Sequence, residues 1–329
     1  MDKIQYNIYE RDTKNASGKA KKDVCHILER NGFNYFYKPS THRIIRVAQQ
    51  LWAISLLKKN QLCFVQYPAN IRLCYRYLSM FKSVKKICII HDLESLREGL
   101  PPTEEISLLN MFKYVISHTP EMSAFLRKQG LQSPIIDLDI FDYLMDDNFD
   151  VVKSRDKNRI AFAGNLQKSQ FIYHLKDITN IKFSLYGVKP NNLDLALRPG
   201  HVEYEGAFSS EEVVKKICGG WGLVWDGNSL ESCEGIMGHY LKYNCPHKTS
   251  MYIVAERPVI IWSKAAMADY ICNNRLGIAI DNLHELDERI AGISDIQYQE
   301  ILENVRNEKK RLVKGQSLQK ALDQIMANI

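Results

Sequence analysis

Short β-rich runs alternate with amphipathic helical stretches along the whole chain. This alternation is typical of α/β architecture with parallel sheets, because a parallel strand needs a crossover, usually a helix, before the next strand begins. The first half of the chain is predicted to form a complete α/β domain. Its predicted strands are 4–9, 61–67, 87–91, 114–118 and 133–138, and its predicted helices are 19–30, 43–59, 71–81 and 120–129.

A second series of the same kind follows the polar stretch 146–158, within which 150–157 is the predicted linker. Its predicted strands are 159–163, 182–186, 202–206, 221–225, 259–262 and 277–280, and its predicted helices include 211–218, 248–255 and 265–273. Single cores usually stop growing at about 250–300 residues, so a chain of 329 residues favours two domains. We expect domains at 1–150 and 151–307. The stretch 298–329 should form two helices, and the last, about 308–329, can return to the first domain.

Two open α/β domains joined by one linker place a cleft between the carboxyl ends of their sheets, where ligands of such folds bind. The run 243–250 leads into a predicted helix, and the unpaired N–H groups of a helix start favour an anion. Lys248 adds a charge, while Pro246 suits the first turn. Thr249 and Ser250 add hydroxyl donors. The run indicates a phosphate or diphosphate site, although an ordinary capped helix with an exposed lysine explains it equally well.

Two further motifs follow predicted strands of the second domain. After strand 159–163, Gly164 allows close backbone approach, Asn165 can donate a hydrogen bond and Lys168 can neutralise charge, as a phosphate loop would require. Asp226 follows strand 221–225 and can accept from a sugar or ribose hydroxyl. An ordinary strand-to-helix turn and an Asp-Gly turn explain them separately. Because these motifs and 243–250 follow different strands of one sheet, we expect them to face one pocket.

In the first domain, His91, Asp92 and Glu94 stand at the end of a very apolar strand. This placement suits a general base that takes a proton from an attacking hydroxyl, although a lone His-Asp is more often a helix cap or an ion-pair partner. A loop predicted at 11–22 also opens onto the cleft. Its candidate contacts to acceptor or donor are Ser17, Gly18, Lys19 and Lys22.

No metal and no cofactor are expected. The Asp137-Leu138-Asp139 run has a spacing used to hold divalent ions on nucleotide sugars, but it leads towards the linker, away from the second-domain motifs. The eight cysteines are scattered without a C-x-x-C pair, and no H-x-x-x-H pattern lies on a predicted helix.

Positive charge is concentrated at the start of the chain. Residues 1–90 hold 17 Lys and Arg against 5 Asp and Glu, a net charge of +12, so the remainder carries −6 of the total +6. Such a domain can bind nucleic acid, an anionic membrane surface or a phosphorylated acceptor, and a solvated basic surface explains the charge equally well. No nucleic-acid motif interleaves aromatic with basic residues, so we expect no nucleic-acid partner. Without an apolar signal region or membrane span, the chain is expected in the cytoplasm, with peripheral contact to the inner membrane surface left open.

Together these motifs resemble the bacterial β-1,6-galactofuranosyltransferases of surface-polysaccharide synthesis. More distantly, the chain is similar to the glucosyltransferases that extend glycans on serine-rich adhesins. In the first domain the resemblance rests on 19–23, 90–92 and 116–118. The segments that carry it further along are 140–144, 163–166, 171–172, 186–188, 222–227, 240–244, 246–250 and 262–269.

The resemblance implies the GT-B fold, in which two Rossmann-like α/β domains face a cleft. It implies a UDP-sugar donor in the second domain, metal-independent transfer, a glycan acceptor held mainly by the first domain, and a homo-oligomer. The donor loop then falls on Asn165 to Lys168. The diphosphate-contacting helix start falls on Tyr243, Asn244, Pro246, His247, Lys248, Thr249 and Ser250. The adhesin-type relatives have an arginine in place of Lys168, and lysine cannot grip a phosphate bidentately.

The resemblance predicts transfer of a hexose from UDP to a hydroxyl of a lipid-linked polysaccharide or O-antigen intermediate. Galactofuranose is the preferred choice of hexose. A single inverting displacement would use Asp92 as the base, ahead of Glu94 and His91. One alternative is a transferase for UDP-glucose or UDP-galactopyranose that acts on a glycan or glycoprotein. A remote alternative is a non-catalytic protein that binds nucleotides or nucleic acid.

Overall fold

The computed structural model describes residues 2–5, 16–35, 40–68, 72–146, 149–153 and 155–329. They form two compact units, each built on a six-stranded sheet. The first unit contains the first strand, Ser17–Ile140 and Ser317–Ile329, and the second contains Phe141–Gln316. Every paired strand in both sheets runs parallel to its neighbour, so the predicted α/β class with parallel sheets is confirmed.

The sheet of the first unit has the order β2-β1-β3-β4-β5-β6. Its strands are β1 (Lys3–Gln5), β2 (Asn34–Tyr35), β3 (Leu62–Tyr67), β4 (Lys85–Ile90), β5 (Tyr114–Ser117) and β6 (Ile135–Asp137). Its helices are α1 (Ala16–Arg30), α2 (Arg43–Ser55), α3 (Arg72–Ser79), α4 (Glu94–Glu98), α5 (Thr103–Leu109) and α6 (Pro120–Lys128). Strand β3 is buried at all six positions, so it lies at the centre of this core. The predicted strand 4–9 is seen only to Gln5, because 6–9 lie outside the described residues.

The loop predicted at 11–22 is wrong from residue 16 onward. Residues 11–15 lie outside the described part of the chain, but Ser17, Gly18, Lys19 and Lys22 all belong to helix α1. The helix starts three residues before the predicted 19–30, and Ala20, at helical spacing from Val24 and Ile27, is buried with them. Lys19 is buried as well, and its ammonium pairs with Asp23 at 2.6 Å.

The sheet of the second unit has the order β12-β11-β10-β7-β8-β9. Its strands are β7 (Arg159–Ala163), β8 (Lys182–Tyr186), β9 (Val202–Gly206), β10 (Trp221–Val224), β11 (Val259–Trp262) and β12 (Gly277–Ile280). Its helices are α7 (Ser210–Lys216), α8 (Gly235–Leu241), α9 (His247–Val254), α10 (Ala268–Asn273), α11 (Leu286–Ala291) and α12 (Asp295–Leu312). The chain leaves β7 towards β8 on one side and later returns to β10 on the other. The order of strands therefore reverses between β7 and β10, which is where folds of this kind bind ligands.

Helix α9 is locked onto this reversal point by one tyrosine. A Cβ atom at Gly222 of β10 would lie 2.2 Å from the ring of Tyr252, so only glycine leaves room for the ring. The Tyr252 hydroxyl accepts a hydrogen bond of 2.8 Å from the Ala163 N–H at the end of β7. Tyr252 thereby ties α9 to both β7 and β10.

Two helices end the chain, as predicted for 298–329. They are α12, in the second unit, and α13 (Gln316–Met326), which the first unit holds from Ser317 onward. Tyr298 of α12 donates to the Gly220 carbonyl at 2.7 Å, while Gln319 of α13 exchanges amide hydrogen bonds with Asn31. Among the described residues, no helix is both long and apolar enough to span a membrane.

Candidate functional site

The carboxyl edge of the second sheet brings together two motifs that lie 22 residues apart in the sequence. Lys248, in the first turn of α9, donates to Asp226 Oδ1 at 2.8 Å and to the Trp225 carbonyl at 3.2 Å. Its ammonium also lies 5.2 Å from the ring centroid of Phe162, on the neighbouring strand β7. The lysine is therefore fixed beside the ends of β10 and β7.

This ion pair is neither fully exposed nor sealed. The side chains of Lys248 and Asp226 are 15% and 24% exposed, so both groups remain partly open to solvent. The ammonium has three N–H donors, of which the two contacts above account for two. The arrangement holds a cation at the sheet edge with a donor to spare.

The loop after β7 is ordered by its own asparagine. Asn165 Oδ1 accepts from the backbone N–H groups of Gln167 and Lys168 at 3.1 and 3.2 Å, and Ser169 donates to the Asn165 carbonyl at 3.0 Å. Leu166 is fully buried and anchors the loop. Lys168 is exposed, so the loop presents its positive charge to solvent.

Two glycines at this edge, Gly187 and Gly164, differ in how much space surrounds them. A Cβ at Gly187, which follows β8, would lie 2.1 Å from the Gly164 carbonyl oxygen, so the two loops touch through backbone alone. A Cβ at Gly164 itself would meet nothing nearer than Phe162, at 3.6 Å. The packing of the protein therefore leaves space beside Gly164 that a side chain would fill.

The predicted anion-binding helix start differs in detail from the expectation. Pro246 precedes the helix instead of lying in its first turn, and no side chain caps α9. Thr249 and Ser250 are both fully buried, and the Ser250 hydroxyl donates to the Phe141 carbonyl at 2.6 Å. The Ser250 hydroxyl is thus engaged by the protein itself, whereas the buried Thr249 Oγ1 has no hydrogen-bond partner among the described residues.

Aromatic side chains hold the same helix start in place. The His247 ring stacks on Tyr143, with ring centroids 4.8 Å apart and an interplanar angle of 24°, and meets Phe141 edge-on. Tyr243 and Asn244 are half-buried in the preceding turn, where the Asn244 N–H donates to the Tyr240 carbonyl at 3.1 Å. These residues position Lys248.

His91, Asp92 and Glu94 lie at the carboxyl end of β4 in the first unit. Asp92 Oδ2 lies 2.6 Å from Arg97 Nη1, and its side chain is 27% exposed. His91 Nε2 lies 2.7 Å from the Gln66 Oε1 atom, while Glu94 opens helix α4. Of these three groups, Asp92 presents a partly exposed carboxylate held by a cation.

Glu105 is a buried residue that sequence patterns did not single out. Its carboxylate accepts from the Glu94 N–H at 2.9 Å, from the Ser95 N–H and hydroxyl, and from the Tyr67 hydroxyl at 2.9 Å. Burial, reinforced by this carboxylate, raises the pKa of Tyr67. Glu105 therefore fixes the turn between β4 and α4 that carries Asp92.

His118, after β5, is an interior residue. Burial lowers its pKa to about 4 from the ordinary 6.5, and its Nε2 atom lies 2.9 Å from the Ile90 carbonyl. Its imidazole is thus neutral and supports the end of β4.

Within the described ranges, no three His, Cys, Asp or Glu side chains are grouped as metal ligands. The carboxylates of the D-x-D run have protein partners instead. Asp137 accepts from Ser117 and Ser123, and Asp139 pairs with Lys320 at 3.2 Å.

Two family models match the chain and together cover most of it. The N-terminal domain of the glucosyltransferase 3-like family matches residues 4–140, and the C-terminal domain of that family matches residues 160–325. The chain belongs to the glucosyltransferase 3-like family. It is therefore a glycosyltransferase.

Two relatives agree with this membership. The chain is 35% identical to the β-1,6-galactofuranosyltransferase WbbI of Escherichia coli K12 over 263 residues, 78% of this chain and 76% of that protein. It is 24% identical to glucosyltransferase 3 of Streptococcus gordonii over 332 residues, 96% of each. The predicted family resemblance is confirmed.

The fold is also found among solved structures. An α-glucosyltransferase solved with UDP-glucose and DNA containing an abasic site superposes with a TM-score of 0.60 at 12% identity, covering 98% of this chain and 99% of the other. At this identity the likeness concerns the fold alone. The predicted GT-B class, with two Rossmann-like α/β domains, is confirmed.

Proposed function

We propose that this glycosyltransferase moves a hexose, galactofuranose in the first instance, from a UDP-sugar to a hydroxyl of a surface-polysaccharide or O-antigen intermediate. The reaction is a metal-independent, inverting displacement, and the acceptor is lipid-linked. The Lys248–Asp226 pair at the carboxyl edge of the second sheet is the observation that carries this proposal. The 35% identity to a β-1,6-galactofuranosyltransferase supports the choice of sugar.

In this proposal Lys248 binds the donor diphosphate. Its ammonium is already held by Asp226 and the Trp225 carbonyl, so it stabilises the charge that grows on the leaving UDP without first having to be ordered. The N-terminus of α9 adds partial positive charge at the same place, and Pro246 brings no side chain to cap it. Exposed Lys168 supplies a second cation from the loop after β7.

Asp226 has two tasks in the proposed site. One carboxylate oxygen, Oδ1, orients the Lys248 ammonium. The carboxylate also accepts a hydrogen bond from a sugar or ribose hydroxyl of the UDP-sugar, which the partial exposure of the Asp226 side chain permits. The open space beside Gly164 allows the donor diphosphate to approach the backbone closely, because no side chain fills that space.

The first unit supplies the acceptor side and the base. Asp92 removes the proton from the attacking acceptor hydroxyl while that oxygen bonds to the anomeric carbon and the bond to UDP breaks. Arg97 holds the Asp92 carboxylate in place at 2.6 Å. His91 is the weaker candidate, since its Nε2 is engaged with the Gln66 amide oxygen. Glu94 is the alternative carboxylate for the role of the base.

A second candidate uses the same site with another donor. The family name and the 24% identity to a glucosyltransferase 3 over 96% of both chains favour UDP-glucose as donor and a glycan or glycoprotein as acceptor. UDP-galactopyranose belongs with this alternative. The two candidates share the diphosphate site and differ in the residues that contact the sugar ring and in the acceptor.

Release of UDP from three donors separates these candidates. The purified chain is incubated with UDP-galactofuranose, UDP-galactopyranose or UDP-glucose, with and without EDTA. We expect UDP-galactofuranose to be consumed fastest and EDTA to change nothing. Faster use of UDP-glucose would select the second candidate, and a loss of activity in EDTA would remove metal independence. If calorimetry detects no UDP binding, the donor site itself is wrong.

A further inference from the structure

Helix α2 of the first unit is apolar on its outer face as well as its inner one. Its inner face buries Ala53 and Ile54 completely. On the outer face Ile44 is 73%, Ile45 52% and Trp52 58% exposed. Ordinary surface helices place polar residues on the face turned to water. A second apolar stripe on the exposed face therefore indicates an interaction surface.

The stripe continues beyond α2. Leu56, directly after the helix, is 46% exposed, and at helical spacing it lies above Ile45 and Trp52. Helix α3, which packs against α2, exposes Leu73 and, one residue past its end, Met80. We call these residues the α2–α3 patch: Ile44, Ile45, Trp52, Leu56, Leu73 and Met80.

The stretch of sequence that carries this patch is strongly basic. From residue 30 to residue 91 the sequence contains 11 Lys and Arg and no Asp or Glu. Lys58 and Lys59 follow Leu56 and are exposed, and Arg76 is exposed on α3 between Leu73 and Met80. Within this stretch of the sequence, exposed apolar side chains are therefore accompanied by exposed cations and by no acidic residue.

We propose that the α2–α3 patch docks on an anionic lipid bilayer, with Trp52 and its apolar neighbours entering the headgroup boundary and the flanking cations facing lipid phosphates. Interfacial helices combine an apolar face carrying Trp, Leu or Ile with Lys and Arg beside it. The amphipathic indole ring is favoured at this depth. The proposal goes beyond the sugar transfer and stands whichever donor is used.

Charge selects a bilayer over the two other occupants. A symmetric contact between two copies would bring two identical surfaces together, each drawn from a segment of 11 positive and no negative residues, and the contact would be self-repelling. Nucleic acid would match the charge but would leave the Ile and Leu side chains without an apolar partner. An anionic bilayer satisfies both the charge and the apolar stripe.

The placement of the tryptophans provides a direct test. The chain has four, and Trp52 is the exposed one, because Trp221 and Trp225 are fully buried and Trp262 is 4% exposed. We expect vesicles of phosphatidylglycerol mixed with phosphatidylcholine to shift the protein's emission to the blue and to protect it from acrylamide. The Trp52→Phe variant should still bind these vesicles but show no shift. An unchanged wild-type spectrum with bound vesicles would overturn the docking mode.

Co-sedimentation with vesicles measures the binding itself. Replacing Ile45 and Trp52 together by serine should lower the bound fraction at least about ten-fold, since two apolar side chains no longer leave water. The matched control replaces Leu195 and Ile296 by serine; these are 69% and 75% exposed on the second unit, and binding should not change. Melting curves of both variants verify that they fold.

Three outcomes would reject the proposal. They are equal binding of wild type and the Ile45/Trp52 variant, equal binding to pure phosphatidylcholine vesicles, and binding that high salt does not weaken. A wild-type dimer that the same substitutions dissociate would assign the patch to a second copy instead. Tight, salt-sensitive binding to duplex DNA with vesicles unable to compete would assign it to nucleic acid. UDP binding is measured on every variant, so loss of the donor site is seen separately from loss of docking.

Discussion

Lys248 Nζ and Asp226 Oδ1 lie 2.8 Å apart, although the two residues are 22 positions apart in the sequence and are predicted from it to contact different parts of a donor. The pair turns two separate motifs into one unit. Removing the lysine would leave the carboxylate alone where the donor phosphates should bind. An anionic ligand would then lose the attraction of Lys248 and meet the repulsion of Asp226.

Replacing Lys248 by alanine is therefore expected to weaken UDP binding strongly. A hydrogen bond to a charged group contributes about 1.5–3 kcal/mol, which corresponds to roughly ten- to hundred-fold in affinity. Titration calorimetry with UDP measures this directly. Lys176→Ala, at an exposed position of the same unit, is the control and should bind UDP as the wild type does. Unchanged affinity in Lys248→Ala would remove this residue from the donor site.

Replacing Asp92 by asparagine tests the base separately from the donor. General-base catalysis typically contributes about 10²–10⁴-fold, so turnover should fall by that range while UDP affinity stays the same. The control is Glu98→Gln, an exposed carboxylate on α4. Glu94→Gln and His91→Gln should retain more activity than Asp92→Asn. Wild-type turnover in Asp92→Asn would show that another group is the base.

Glu105→Gln should destabilise the turn that carries Asp92. The buried carboxylate accepts four hydrogen bonds, and an amide presents an N–H₂ group to some of those donors. We expect the free energy of unfolding to fall by about 2–3 kcal/mol, measured by urea denaturation. Glu98→Gln, which changes an exposed carboxylate on α4, is the control and should have little effect. An equal loss of unfolding free energy in both variants would show that the buried hydrogen bonds of Glu105 do not stabilise the turn.

Two glycine substitutions should have opposite consequences. Gly222→Ala places a methyl group against the Tyr252 ring and should cost about 1–3 kcal/mol of stability. Gly164→Ala meets nothing nearer than 3.6 Å, so stability should change by less than about 0.5 kcal/mol while UDP binding weakens. Thermal melts and calorimetry on both variants measure the two effects. Normal UDP binding by Gly164→Ala would show that the space beside residue 164 is not used by the donor.

Acid should destabilise the first unit through His118. Its pKa is about 4 in the folded chain against the ordinary 6.5, so below pH 6.5 the unfolded chain binds a proton that the folded chain does not. Stability therefore falls as the pH drops from about 6.5 to about 4, by up to about 3 kcal/mol. Urea denaturation across this range measures the loss. The His118→Gln variant keeps an N–H donor and should lack this part of the pH dependence.

Much of the fold could be predicted from local patterns. Five strands of the second unit have the predicted bounds, among them 159–163 and 259–262, because a Gly, Asn or Pro stands at one end of each. Helices α4 and α5 were missed, since five and seven residues are too few to show a helical stripe. The start of α1 is not recognisable from the sequence, because the stretch from Ser17 to Lys19 contains no apolar residue that would show helical spacing.

The candidate site divides in the same way. The sequence by itself determined that Asn165, Asp226 and Lys248 follow strands of one parallel sheet and so approach its carboxyl edge, because strand alternation is a local property. Only the tertiary structure decided that Lys248 pairs with Asp226 and that the Ser250 hydroxyl turns inward to Phe141. Those contacts join residues 22 and 109 positions apart. No local pattern records such partners, since they depend on how the helices pack against the sheet.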